Sequence, residues 1–146
     1  MVEMEVTGVA RLPSGSDVAI LHERQGERTL GIGIGATAAA AIGVHLAGLQ
    51  LPRPGTYVLT LHVIAQMGAS VLRAVLDEDR AAEPAAFLDL RTRRGVLEFP
   101  CAAEDALALA AEAEAPVLVH NRFFDGESEG GEPDPHPAGN GEDPPA

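Results

Sequence analysis

"RTLGIGIGATAAAA", residues 28–41, admits two readings, and the choice between them decides the fold. Gly31-x-Gly33-x-x-Ala36 satisfies the loosest form of the dinucleotide fingerprint, a strand-to-helix turn whose amides meet a pyrophosphate. That fingerprint needs an acidic residue about 20 positions on to hold the ribose. Gln50, Leu51, Pro52 and Arg53 occupy that region, and no carboxylate occurs between Arg28 and Asp77. Leu30, Ile32 and Ile34 alternate with Gly31, Gly33 and Gly35. A period of two is a strand with one apolar face, not a turn. The glycines line its other face, where a packed element can come close. The run therefore predicts a strand entering the Ala-rich helix that follows.

The flanking sequence extends this reading. Val2, Met4 and Val6 alternate with Glu3, Glu5 and Thr7, a half-buried strand. The cluster Pro13-Ser14-Gly15-Ser16-Asp17 is a turn, Val18–Leu21 a second strand, and Gln25-Gly26-Glu27 a turn back into Arg28–Ile34. Together these predict an antiparallel meander. Residues Ala36–Leu49 form the first helix, with Ile42, Leu46 and Leu49 on one stripe. Pro52-Arg53-Pro54-Gly55 ends it, and Thr56 is placed to cap a second helix, Tyr57–Met67, stopped at Gly68. A strand follows over Ser70–Leu76, then an acidic loop, Asp77-Glu78-Asp79-Arg80 with Pro84. Ala86–Leu90 and Val96–Phe99 form a hairpin around Arg93-Arg94-Gly95. Ala102–Glu114 is a third helix and Pro116–His120 a last strand. Strands followed by a helix occur twice, over residues 2–49 and 70–114, a faint echo short of a sequence repeat.

Composition sets the limits. A chain of 146 residues suits one domain, and 3% aromatics against 46% hydrophobics predict an aliphatic core. All ten basic residues are arginine, and the net charge is −12. Seven acids and no base lie from Asp125 onward, leaving fifteen acids against ten bases before it. Residues 125–146 are too rich in Gly, Pro and acids to offset their ordering entropy, so a disordered tail is expected after a domain over residues 1–124. Neither part suits a polyanion, although Arg91, Arg93 and Arg94 cluster locally. One cysteine excludes an internal disulfide and a Cys-rich zinc site. There is no signal-peptide pattern and no long apolar run, so the expectation is a cytoplasmic protein without a membrane partner.

Four stretches, in order, resemble the bifunctional nuclease (BFN) domain family. "VTGVARLPSGSDVAILHERQGERTLGIGIG" is similar to the family's opening meander, and "LAGLQLPRPGTYVLTLHVIAQMGASVLRAVL" to its helix, Pro-Arg-Pro turn, helix and strand. "AFLDLR" with "GVLEF" stands where its hairpin lies, and "EDALALAAEAEAPVLV" resembles its last helix and the strand after it. The resemblance covers about residues 5 to 124. It implies an α+β fold of antiparallel or mixed sheets with about three helices, DNase and RNase activity, and assembly as a homo-oligomer, a dimer or trimer. Mg²⁺ or Mn²⁺ would be the cofactor if that activity is retained.

The departures fall on the family's polar positions. Its Glu early in the first helix corresponds to Ala38, and its His-Asp after the Pro-Arg-Pro-x-Thr stretch to Tyr57 and Val58. In its Asp-x-Arg-Pro-Ser-Asp motif, Pro100, Ala102, Ala103 and Glu104 stand at the first Asp, Arg, Pro and Ser. Arg53, Thr56 and Asp105 remain. A metal-assisted nuclease needs oxygen or imidazole ligands to hold a cation and activate water, and most are gone. No metal-ligand set is therefore assigned. The catalytic candidates are Asp105, Arg53 and Thr56, and the ligand-binding candidates Arg53, Tyr57 and Glu104.

Each candidate also has a structural role open to it. Arg53, stiffened by two prolines, could fork onto a phosphate or pair with Asp105. Asp105 could ligate, or favour the first turn of the third helix through the dipole. Thr56 reads as a cap. Cys101 precedes a helix, a setting that favours thiolate, but no His is adjacent, so it reads as a core or rim residue. His22, His45, His62 and His120 lack the spacing of a shared metal site, and Asp77–Asp79 reads as a solvated turn. Three functions stay open: a family-type nuclease, a non-catalytic binding or scaffold protein, and an enzyme recruited on this fold to modify a small molecule or peptide.

Overall fold

A computed structural model describes residues 1–78 and 84–124. It contains β1 (Val2–Arg11), β2 (Asp17–Glu23), β3 (Thr29–Ile34), α1 (Ala36–Leu46), α2 (Thr56–Gln66), β4 (Ser70–Glu78), β5 (Pro84–Thr92), β6 (Gly95–Cys101), α3 (Ala103–Ala113), β7 (Val117–Val119) and a 3₁₀ turn at Asn121–Phe124. The fold is α+β. The seven strands form one mixed sheet in the order β3-β2-β1-β7-β4-β5-β6.

The decisive stretch is a strand end. Leu30 and Ile32 are buried on β3, which pairs antiparallel with β2, and α1 begins after Gly35. β1 buries Val2 and Met4 and exposes Glu3 and Glu5, as its alternation requires. Its register shifts between Val6 and Gly8, and beyond that bulge Val9 packs against the core. The meander β1-β2-β3 has a counterpart in β4-β5-β6, so the faint echo is a topological repeat of two β-β-β-α units. β7 joins the halves, antiparallel to β1 and parallel to β4. Reaching β7 from the edge strand β6 requires a crossover, and α3 makes it. Residues Ala106–Ala111 are all buried, because small side chains let this helix lie close to the sheet.

The core cluster lies between one sheet face and the helices, built from Met4, Leu21, Ile32, Ile42, Leu76, Leu88 and Leu107 among others. On the opposite face Arg73 Nε donates to Asp89 Oδ2 at 2.7 Å. Asp89 is 4% exposed, and its Oδ1 has no hydrogen-bond partner among the described residues.

Several boundaries differ from the sequence expectation. α1 stops at Leu46 because Gly48 adopts φ +72°, and Gly48 and Leu49 donate back to His45 and Val44, a Schellman end. The Ile42-Leu46-Leu49 stripe is therefore not the buried face. Ala38, Ala39 and Ile42 are buried, and Leu46 and Leu49 are exposed. Thr56 is not a cap: Gly55 is the N-cap residue, without a side-chain bond, and Thr56 is the first residue of α2. Asp77 and Glu78 belong to β4 and Pro84 to β5, not to a loop. Asp79, Arg80 and the acidic tail from Asp125 lie outside the described residues. Among those described, no helix is long and apolar enough to cross a membrane.

Candidate functional site

The beginnings of α1, α2 and α3 converge. Gly35, the N-cap of α1, donates its backbone N–H to Glu104 Oε1 at 2.5 Å. A capping box normally uses a Glu from the same helix; here it comes from the first turn of α3. A Cβ on residue 35 would lie 2.9 Å from that oxygen, so the Glu104 side chain would have to shift to admit one. Tyr57, on the first turn of α2, donates its hydroxyl to Asp105 Oδ1 at 2.8 Å. Burial, then this bond, then the charges of Asp105 and Glu104 push the Tyr57 phenol well above its ordinary range. Cys101 closes β6 beside this cluster. Burial, reinforced by Asp105, raises its thiol, so it is held protonated, as a rim residue is.

Of the sequence candidates, the fold brings together Tyr57, Glu104 and Asp105. It does not bring Arg53, whose expected ion pair with Asp105 is absent among the described ion pairs. Arg53 is exposed on the α1–α2 connection, and the acid it was matched to is held by Tyr57 from the adjoining helix. The exposed Thr56 offers its carbonyl to Thr60 Oγ1 at 2.7 Å and no group to the cluster. Ala38 is buried.

Mg²⁺ or Mn²⁺ does not fit this donor set. Glu104 and Asp105 each already accept a protein hydrogen bond, and among the described residues no three His, Cys, Asp or Glu side chains converge on a point. No hydrolytic step is derived through a metal here.

Next to the cluster lies a cavity of about 640 Å³. α1 and α2 form its walls, the α1–α2 connection closes one end, and Glu112 of α3 reaches it; Tyr57 borders both cavity and cluster. The wall from α1 is small: Ala40, Ala41 and Val44. His45 stands between two carboxylates, with Nδ1 at 3.3 Å from Glu112 Oε1 and Nε2 at 3.4 Å from Glu114 Oε2. His62 contributes from α2. Sequence reasoning missed this group. His45 and Glu112 belong to different helices far apart in the chain, so no local spacing announces them.

The Bifunctional nuclease domain family model matches residues 19–129. The chain belongs to the bifunctional nuclease domain family. Two uncharacterized proteins from two strains of Mycobacterium tuberculosis are each 33% identical to it over 120 residues, covering 82% of this chain and 71% of theirs. In this bifunctional nuclease domain, Tyr57, Glu104 and Asp105 come together where α1, α2 and α3 begin. A phenol and a backbone amide hold the two acids, and Ala38 is buried on α1.

Proposed function

We propose that this bifunctional nuclease domain binds a small ligand in its helix layer and cleaves nucleic acid weakly or not at all. The Tyr57–Asp105 hydrogen bond carries the reading, because it engages one oxygen of the acid in a structural contact and sets a phenol, a poor ligand for a hard cation while protonated, beside it. The neighbouring cavity supports it: its size is that of small-molecule pockets, and its walls are largely apolar with a few polar groups. Net charge of −12 further disfavours a polyanionic substrate. The competing reading is hydrolysis of DNA and RNA, favoured by the family match. Incubation with single- and double-stranded DNA and RNA, with Mg²⁺ or Mn²⁺, separates them. The expected result is no turnover above a mock purification. Metal-dependent cleavage that Asp105→Ala abolishes would overturn the proposal.

The same reading includes self-association. Leu59, Val63 and Met67 form an exposed stripe on α2, and Leu97 and Phe99 are exposed on the edge strand β6. Their register partners Leu90 and Leu88 face the core, so Leu97 and Phe99 lie on the helix side of the sheet. Apolar surface of this kind gains from burial against a second copy. Sedimentation at micromolar concentration should show a dimer or trimer, and Val63→Glu should shift it toward monomer. Monomer mass for the unaltered chain would refute it.

A further inference from the structure

We propose that the cavity between α1 and α2 takes a small aliphatic amine, with its chain against Ala40, Ala41, Val44 and Val58 and its ammonium against Glu112. This rests on the reading that the helix layer binds a ligand, and it names the ligand's chemistry. The Glu112 side chain is 10% exposed and lines the cavity. Its Oε1 faces His45, while its Oε2 has no hydrogen-bond partner among the described residues. A carboxylate whose side chain is largely shielded but which keeps one oxygen open gains from a cation or donor that meets it. No arginine lines the cavity among the described residues, and the chain has no lysine, so His45 and His62 are the basic side chains there, with His45 turned to Glu112 Oε1.

The surroundings bias the choice of head group the same way. Glu114 adds a second carboxylate at His45. His45 and Glu112 lie in the last turns of α1 and α3, where the helix dipoles present their negative ends. The N-terminal turn of α2 also borders the cavity, but beside Glu112 an anion such as a nucleotide phosphate would meet carboxylates and carbonyl ends. A neutral apolar ligand would leave Glu112 Oε2 unmet. A primary ammonium brings three donors, one of them for that oxygen. The apolar wall then accounts for an aliphatic rather than a bare cation. Its small residues are why the space exists, since larger side chains along α1 would fill it.

The test uses the full chain and three probes of equal length: hexylamine, hexanol and hexanoate, titrated at neutral pH by isothermal calorimetry and amide chemical shifts. Hexylamine should bind with shifts at Ala40, Ala41 and Val44, hexanol about tenfold more weakly or worse, and hexanoate not at all. Glu112→Gln should weaken hexylamine about tenfold or more and leave hexanol unchanged. Ala40→Leu, at an exposed helix position, should block every probe while the circular dichroism stays native. Equal binding of hexanol and hexylamine, or any preference for hexanoate, overturns the amine assignment and leaves a ligand cavity standing. Unchanged hexylamine affinity in folded Glu112→Gln does the same. No binding of any probe to the folded chain refutes the cavity reading as well. The probe series needs no variant, so the proposal stays testable if Glu112→Gln fails to fold.

Discussion

Tyr57 is the chain's one tyrosine, and there is no tryptophan, so tyrosinate absorbance reports on this residue alone. A free phenol titrates near pH 10 and is about nine-tenths ionised at about pH 11. In the fold, ionisation would take charge into a partly buried site and turn a 2.8 Å hydrogen bond to Asp105 into a contact between two anions. Two unit charges about 4 Å apart repel by about 4 kcal/mol at an effective dielectric of about 20. Tyr57 is only half-buried, so solvent screening reduces this to about 2 kcal/mol. That repulsion alone, before the larger effect of burial, lowers the ionised fraction at about pH 11 to about a quarter at most. Because the phenol is raised in the folded state, its contribution to stability is complete below about pH 10 and is lost as pH rises through the folded value. Asp105→Ala removes the bond and one charge but not the burial. It should bring tyrosinate formation to lower pH than in the unaltered chain, still above that of a free phenol. Absorbance and far-ultraviolet circular dichroism are followed together. Tyrosinate fully formed at about pH 11 with native ellipticity would refute the closed Tyr57–Asp105 pair.

Further substitutions and one labelling reaction probe the same frame. Glu104→Ala should cost about 1–2 kcal/mol in urea denaturation, since it strips the acceptor from the α1 N-cap, and Gly35→Ala should cost less because the Glu104 side chain can shift. Glu104→Ala as stable as the unaltered chain would remove the shared cap from the account. Cys101 should react with iodoacetamide at neutral pH more slowly than a free thiol, since burial and Asp105 keep it protonated; labelling at the free-thiol rate would contradict this. Arg73→Ala should destabilise by about 2–3 kcal/mol by leaving Asp89 buried without its cation, and adding Asp89→Leu should recover most of the loss. Chemical denaturation of the single and double variants measures both, and additive losses would show that the pair is not coupled.

Local chemistry was enough to place the elements. The alternation at Leu30, Ile32 and Ile34 set a strand against a nucleotide loop, and it is β3. Gly68 stops α2 and Arg93-Arg94 turn the β5–β6 hairpin, because left-handed and tight-turn positions select their residues locally. The family resemblance, too, was legible in ordered local strings. What sequence could not assign was which side of a helix faces inward. Leu46 and Leu49 continue the apolar period of α1 yet lie exposed, because burial follows from where α3 crosses the sheet, and the Ala-rich side of α1 allows the closer approach. The same holds for the site. Arg53 was matched to Asp105 by charge, but the tertiary fold gave that acid to Tyr57. Glu104 is a ligand-binding candidate in the sequence, and only the position of α3 makes it the acceptor for the Gly35 amide. His45, Glu112 and the cavity they border exist only once helices far apart in the chain are packed together. Side-chain periodicity is a property of a few consecutive residues, whereas a pocket is made by the crossover that brings distant ones into contact.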